Sequence, residues 1–172
     1  MWRTSLLAAV VALALIIAPT APAAKPIRTV IPFTEPILLP AGVGCAFPVR
    51  GQPGPGSRAT ITEFGDGRTQ TIDWAQANLT NLDTGGTILW RSRFKATETI
   101  DSETNELVAE LSGRFFFLLL PGDQGPSGEV GEPGALLGVV GHLRFTVDLD
   151  AGVGTSFSLN GQTTDLCALL SP

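Results

Sequence analysis

Two long stretches of the chain alternate between apolar and polar residues with a period of two. In residues 87–100 one side carries Trp90, Phe94 and other apolar residues, while the other side is mostly polar or basic. Residues 136–150 repeat the pattern, with Phe145 among the apolar positions. A period of two with one apolar face is typical of a half-buried strand, so both stretches are predicted strands.

Turn signals divide the rest of the chain into shorter strands. Gly65-Asp66-Gly67 separates residues 58–64 from residues 68–74, and Asp-Gly between such runs favours a tight hairpin. Asn160-Gly161 is a second two-residue hairpin signal. Further strands are predicted over residues 42–49, 106–112, 114–120 and 154–159.

The pattern predicts an all-β fold, an antiparallel meander closed as a β-barrel. Long tilted strands suit closure, and a β-sandwich is the alternative. Trp90, Phe94 and Phe145 are predicted to face the interior, where they would line any ligand cavity. Residues 115–120 are apolar on both faces, so both faces of that strand should be covered.

The first 24 residues have the three parts of a secretory signal peptide. Arg3 precedes an unbroken apolar run from Leu6 to Ala18, and small residues follow, with cleavage expected near Ala23-Ala24. The run is shorter than the ~20 residues needed to span a bilayer, and no later stretch reaches that length. We expect a secreted protein with a proline-rich arm (residues 25–40) and one barrel-like domain (residues 41–172).

Both cysteines, Cys45 and Cys167, lie in the exported part. An even count in an oxidising compartment favours a structural disulfide, and two free thiols or an intermolecular bond are the alternatives. A bridge between them would close a loop of roughly 120 residues, worth about 4–5 kcal/mol on the chain-entropy model.

Charge and composition exclude several classes of function. The chain is 44% apolar, which is too hydrophobic for a disordered protein, and its net charge of -5 argues against a nucleic-acid partner. One histidine and no tyrosine leave few groups for catalysis. We predict no catalytic residue and no cofactor.

Arg91, Arg93 and Lys95 form a basic row on one face of the 87–100 strand. Such a row can meet an anionic surface or ligand. The alternative is ordinary cross-strand pairing with acids of the next strand, for which Glu106 and Glu110 are the candidates.

The remaining candidates carry weaker signals. His142 lies on the polar face of its strand with no nucleophile motif, so a surface histidine is expected. Two acidic groups lack the spacing of a calcium loop, so no metal site is predicted. They are Asp101, Glu103 and Glu106, and the pair Asp148 and Asp150.

Residues 122–134 place glycine at every third position, which is the collagen period. The segment is too short for a triple helix and is predicted to be an acidic surface loop. Its length would suit a lid or a contact loop.

The chain resembles a group of small exported proteins of actinobacteria. The resemblance is carried by the signal peptide, residues 45–49 (CAFPV), residues 81–85 (NLDTG) and residues 165–167 (DLC). It implies export and a β-rich body, and it brings no catalytic residues to carry over.

The expected function is therefore that of a secreted, disulfide-stabilised β-domain acting by surface binding at the cell envelope or in the extracellular space. The alternative is a barrel that holds a small apolar ligand, which requires a cavity of several hundred Å³ lined by Trp90, Phe94 and Phe145. An enzyme is the third hypothesis, disfavoured by the scarcity of reactive side chains.

Overall fold

The computed structural model describes residues 25–171, and the predicted signal peptide of residues 1–24 lies outside this described part. Nearly all of the regular structure is β-strand. The strands are β1 (Ile27–Pro32), β2 (Ile37–Leu39), β3 (Val49–Pro53), β4 (Arg58–Glu63), β5 (Thr69–Asn81), β6 (Thr87–Asp101), β7 (Glu106–Leu119), β8 (Gln124–Gly125), β9 (Gly128–Glu129), β10 (Ala135–Asp148) and β11 (Val153–Asp165), followed by one short helix, α1 (Leu166–Leu170).

Nine strands form one antiparallel sheet, which confirms the all-β antiparallel prediction. The main path runs β1-β4-β5-β6-β7-β10-β11, with β3 on the second half of β5 and β2 on β3. The predicted closure into a barrel is not observed in residues 25–171. The reason is that β1 and β11, at the two ends of the path, each pair with a single neighbour.

The proline-rich segment 25–40 contributes two strands to this sheet. β1 pairs with β4, from Ile27 opposite Glu63 to Pro32 opposite Arg58, and β2 pairs with β3. β1 ends in Pro32 and β2 lies between Pro36 and Pro40, and both are edge strands, where a missing proline N–H costs no ladder hydrogen bond.

Short turns set the register of the long strands. The predicted hairpin is confirmed: Gly67, at φ 84°, closes the turn between β4 and β5. Between β6 and β7, Asp101 Oδ1 accepts hydrogen bonds from the backbone N–H groups of Glu103 (2.9 Å) and Thr104 (3.3 Å). Asn105 completes that turn at φ 54°, a left-handed conformation that asparagine tolerates.

A first apolar cluster lies on one face of β6, β7 and β10. Phe115, Leu119, Val139 and Leu143 are its most buried members. Five phenylalanine rings pack there in tilted or edge-to-face contacts, with neighbouring centroids 5.0–6.4 Å apart; they are Phe94, Phe115, Phe117, Phe145 and Phe157.

A second cluster lies on the opposite face of β7 and β10. β6 pairs with β5 along residues 87–98 but with β7 only from Arg93 onward, so residues 87–92 have β5 as their one strand neighbour. The two strands diverge at this fork, and the first half of β6 folds over β10 together with β3 and β5. Leu118 packs against this second cluster, whereas Leu119 belongs to the first, but Phe116 and Leu120 are exposed, so the predicted cover over both faces of residues 115–120 is only partial. The buried members are Cys45, Val49, Leu79, Trp90, Leu136, Leu166 and Leu170.

Two predicted elements are wrong. Of the predicted strand over residues 42–49, residues 42–48 form turns and bends and only Val49 belongs to a strand, β3, because Gly42 and Gly44 adopt positive φ angles of 87° and 88°. Asn160-Gly161 is not a turn but lies within β11, where Gly161 faces Gly141 of β10. The two backbones approach so closely that a Cβ on either glycine would overlap the other strand.

The glycine-rich segment 122–134 contains the small β8–β9 hairpin, and hydrogen bonds of Asp123 fix the start of the segment to its neighbours. The carboxylate of Asp123 is buried and accepts hydrogen bonds from the N–H of Leu120 (2.7 Å) and of Gly154 (2.6 Å). Gly122, Gly128 and Gly134 of the collagen-like repeat adopt positive φ angles, so the repeat supplies turns around a compact hairpin that contacts β11.

Candidate functional site

A row of four residues crosses four neighbouring strands and carries three arginines. Arg58 of β4 faces Trp74 of β5, Trp74 faces Arg93 of β6, and Arg93 faces Arg114 of β7. Directly opposed residues of antiparallel strands lie about 5 Å apart, so these side chains are immediate neighbours. Arg91, opposite Gln76 of β5, adds a fourth guanidinium beside the row.

The predicted pairing of this basic row with Glu106 and Glu110 is wrong. Glu106 faces Asp101, and Glu110 faces Thr97 and forms an ion pair with Arg144 at 3.3 Å. Lys95 faces Ser112. The turn at residues 101–105 sets the register between β6 and β7. In this register the acids of β7 lie two or more positions away from the arginines of β6, so Glu106 and Glu110 do not pair with them.

None of these four arginines forms an ion pair within residues 25–171, where the ion pairs are Arg68–Asp66 and Arg144–Glu110. Like charges directly opposite each other destabilise a strand pair, so the Arg93–Arg114 arrangement has a cost. Guanidinium groups without a carboxylate partner are free to bind an anion from solution.

A cavity of about 410 Å³ lies at the fork between β6 and β7. Its walls hold three cationic side chains and no acidic one. Buried Ser57 supports one wall, because its Oγ accepts from the N–H of Gln76 and donates to the Gln76 carbonyl, both at 3.1 Å. The lining residues are Pro55, Ser57, Trp74, Ala75, Gln76, Arg91, Ser92, Arg93 and Arg114.

Two tryptophans hold arginines in place around this cavity. The Arg114 guanidinium lies 4.2 Å from the ring centroid of Trp90, and that of Arg58 lies 5.5 Å from the centroid of Trp74. Such cation–π contacts orient the guanidinium without neutralising its charge. Trp74 is 53% exposed, so it presents an open aromatic surface between two arginines. We call Arg58, Trp74, Arg91, Arg93 and Arg114 the arginine face.

The structure separates the three predicted interior residues. Phe94 and Phe145 belong with the first cluster, and Trp90 is a buried member of the second. Phe94 and Phe145 pack against other phenylalanine rings, and Trp90 packs under Arg114. They are therefore not brought together around one space.

His142 and Ser112 are hydrogen-bonded across β10 and β7, with 2.7 Å between Ser112 Oγ and His142 Nδ1. Both residues are exposed, and the described hydrogen bonds link no carboxylate to this imidazole. A Ser-His-Asp site needs a third group that orients the base, so this pair does not have the geometry of an activated nucleophile.

The acidic groups close turns. Asp148 Oδ1 accepts from the N–H groups of Asp150 (2.8 Å) and Ala151 (2.9 Å), as Asp101 does in its own turn. Asp150 accepts from Asn105 Nδ2 at 2.7 Å, which joins the two turns. In residues 25–171 no group of three or more side chains is arranged to hold a metal ion.

Cys45 and Cys167 form a disulfide with their Cα atoms 5.6 Å apart, which confirms the pairing predicted from the sequence. The bond joins the loop before β3 to α1. Asp165 caps α1 by accepting from the Ala168 N–H at 3.0 Å, and Asn81 Nδ2 donates to the Leu170 carbonyl at 3.1 Å. The C-terminal segment is thus fixed against β5 and the second cluster.

A second cavity, of about 280 Å³, lies beside the second cluster, between β2, β3 and β5 on one side and Phe116 and Leu136 on the other. Asp73 lines it and is only 8% exposed. Its Oδ1 has no hydrogen-bond partner in the described chain. Burial raises the pKa of the Asp73 carboxyl to about 6, because desolvation disfavours the charged form.

Several residues of these sites escaped the sequence analysis. Arg58 and Trp74 lie at equal distances along the chain from Asp66. The turn predicted at Asp66-Gly67 was therefore enough to predict that these two residues face each other. Arg114 follows Gly113 and looked like the start of a separate strand, whereas β7 runs through it. Asp73 has no local signal, since its burial depends on a fold that closes over it.

No protein-family model, curated protein or solved structure matches this chain. Within residues 25–171, no helix combines the length and hydrophobicity that crossing a bilayer requires.

Proposed function

We propose that this protein is exported and binds an anionic glycan of the cell envelope or the extracellular space through the arginine face. The observation that carries the proposal is the uncompensated row Arg58–Trp74–Arg93–Arg114, in which two arginines face each other with no acid between them. Export is the sequence expectation, and the Cys45–Cys167 disulfide is compatible with an oxidising compartment.

The chemistry of the face selects the ligand class. Guanidinium groups donate paired hydrogen bonds to carboxylate or phosphate oxygens, and they are the groups that proteins use for such recognition. Trp74 adds a flat apolar surface on which a ring can stack. A sugar ring carrying a carboxylate or phosphate offers both features, and a polymer of such units would extend along the exposed strands.

The overall acidity of the chain favours a ligand whose negative charges are widely spaced. Residues 25–172 carry 10 basic and 16 acidic side chains, so the arginine face is a local basic patch on an acidic protein. A nucleic-acid duplex is long and densely charged, so it would contact the surrounding acidic side chains as well as the arginines and be repelled by them. A polymer with spaced charges can place its anions on the face alone.

The test measures binding of the exported, purified protein to three polymers by isothermal titration calorimetry. Polygalacturonate supplies carboxylates, poly(glycerol phosphate) supplies phosphates, and dextran is the neutral comparison. We expect binding to at least one anionic polymer, weakening as salt screens the charges, and none to dextran. Polygalacturonate and poly(glycerol phosphate) together identify which anion the face prefers.

Variants assign the binding to the face. The double change Arg93→Gln and Arg114→Gln should weaken binding about tenfold or more, because a hydrogen bond to a charged group is worth about 1.5–3 kcal/mol. The matched control changes Arg28 and Arg50 to glutamine, which alters the net charge equally on exposed residues of β1 and β3. Equal losses in both variants, or tight binding to dextran, would contradict the proposal.

A further inference from the structure

The cavity beside the second cluster is an apolar groove with one buried acid. Leu79, Phe116 and Leu136 form much of its apolar wall, and the segment from Pro32 to Ile37 lies along its rim. We call this cavity the Asp73 groove. Its lining residues are Pro32, Phe33, Thr34, Glu35, Ile37, Leu39, Val49, Gly51, Pro53, Asp73, Ala75, Gln76, Ala77, Leu79, Phe116 and Leu136.

Asp73 has no compensating neighbour. Across the sheet it faces Ala59 of β4 and Phe94 of β6, both apolar. Its Oδ1 is buried and receives no hydrogen bond in the described chain. Buried carboxylates are normally paired or hydrogen-bonded, so an orphaned one that lines a cavity points to a partner from outside the chain.

The lining identifies that partner by charge. It holds no lysine, arginine or histidine, and its one other titratable group is the exposed carboxyl of Glu35 at the rim. Neither acid has a cation of this chain beside it in the groove. A ligand that complements the groove therefore brings an apolar body and a cationic hydrogen-bond donor.

We propose that the Asp73 groove binds a small apolar amine, whose ammonium group pairs with the carboxylate of Asp73 while its hydrocarbon part lies against Leu79, Phe116 and Leu136. This proposal does not depend on the arginine face. Trp74 of that face and Asp73 are successive residues of β5, so their side chains leave the strand on opposite sides.

An ammonium group suits the site better than a hydroxyl group. Near neutral pH the carboxyl of Asp73 is mostly ionised, because its pKa is about 6. A hydroxyl group would satisfy the hydrogen bond and leave the buried charge unneutralised, whereas an ammonium group does both. An anion of the same shape would face both Asp73 and Glu35 and should be rejected.

The test uses three probes of one shape: hexylamine, hexanol and hexanoate. We expect calorimetry near pH ~7.5 to show hexylamine binding about tenfold or more tighter than hexanol, with no binding of hexanoate. Asp73→Asn keeps the shape and removes the charge, and it should abolish the preference for the amine. Glu35→Gln is the matched control and should retain that preference.

A second measurement needs no variant. The carboxyl carbon of Asp73, followed by NMR through a pH titration, should show a lower pKa when hexylamine is bound, because the ammonium group favours the ionised acid. The proposal fails if hexylamine does not bind, if hexanol binds as tightly, or if the pKa of Asp73 is unmoved. Loss of hexylamine binding in the Arg93→Gln, Arg114→Gln variant would likewise exclude this groove as the site.

Discussion

Arg93 of β6 faces Arg114 of β7 at the last paired position before the two strands diverge. Two cations at directly opposed positions repel each other, and neither has an acidic partner in the described chain. The fold therefore retains an unfavourable pair at the mouth of a cavity. The proposed binding role would account for the pair, since a bound anion would turn the repulsion into a shared attraction.

Arg93→Gln should stabilise the protein while weakening anion binding. Relief of the repulsion is expected to raise the free energy of unfolding by about 0.2–1 kcal/mol at low salt. The gain should shrink as added salt screens the charges in the wild-type protein. Urea denaturation at low and high ionic strength measures the gain in stability and its dependence on salt, and titration with the anionic polymer measures the loss of binding.

The control for this change is Arg28→Gln, because Arg28 of β1 faces uncharged Thr62 of β4. It should leave the free energy of unfolding nearly unchanged at either salt concentration. A loss of stability in Arg93→Gln at low salt would show that the two arginines do not repel each other in the folded protein.

Local sequence pattern predicted the strands well and their partners poorly. Alternation marked β6 and β10 to within two residues, and Asp66-Gly67 marked the turn between β4 and β5. The neighbour of Arg93 depended instead on how many residues the turn after Asp101 would use. That turn places Arg114, and not Glu110, opposite Arg93, because a shift in turn length shifts every pair along the strand.

The burial of Asp73 in its groove was not predicted for the same reason: it depends on how the strands pack and not on the local sequence pattern. Asp73 sits in an alternating strand next to exposed Trp74, and nothing local separates it from a surface acid. Its burial arises because the sheet folds over at the β6–β7 fork. Asn160-Gly161 shows the reverse error: a strong turn signal lies inside a strand, because Gly161 meets Gly141 where only glycines let the two backbones approach.

Asp73 should make stability fall as pH rises from about 4 to about 6. The folded protein keeps the proton of Asp73 up to its pKa of about 6, whereas the unfolded chain releases it near 3.8. Between these values the folded state binds more protons, so the free energy of unfolding decreases with rising pH. The full loss is at most about 3 kcal/mol and is complete above about pH 6.

Asp73→Asn isolates this effect, because other carboxyl groups also titrate in the same range. The stability of the variant relative to wild type should increase from pH ~4 to pH ~7 by up to about 3 kcal/mol, as measured by urea denaturation at several pH values. Glu35→Gln, which removes an exposed carboxyl from the rim of the same groove, is the matched control. Parallel pH profiles for Asp73→Asn and the wild-type protein would refute the raised pKa of Asp73.

Gly138→Ala should disturb both the second cluster and the arginine face. The ring of Trp90 covers Gly138 so closely that a Cβ there would overlap it. Displacing the ring is expected to cost about 1–3 kcal/mol of stability, and it moves the surface on which Arg114 stacks. Urea denaturation, followed by tryptophan fluorescence, measures the cost, and titration with the anionic polymer measures the loss of binding.

Gly131→Ala is the matched glycine control. No atom lies within 4 Å of a Cβ built at Gly131, which is exposed in the loop before β10. Stability and polymer binding should both stay at the wild-type level. If Gly138→Ala lost stability but kept full polymer binding, Trp90 would be a packing residue with no part in holding Arg114.

Reduction of the Cys45–Cys167 disulfide should remove a large part of the stability of the fold. The bond joins residues 122 positions apart, and the chain-entropy model assigns such a loop about 5 kcal/mol. This is comparable to the whole free energy of unfolding of a small domain, about 5–15 kcal/mol. The urea midpoint should therefore drop sharply in a thiol reductant.

The control is the Cys45→Ala, Cys167→Ala variant. It should already show the lower midpoint and should not respond to the reductant, because the described chain has no other cysteine. An unchanged midpoint on reduction of the wild-type protein would mean that the packing of α1 against β5 and β10 holds the C-terminal segment without the bond.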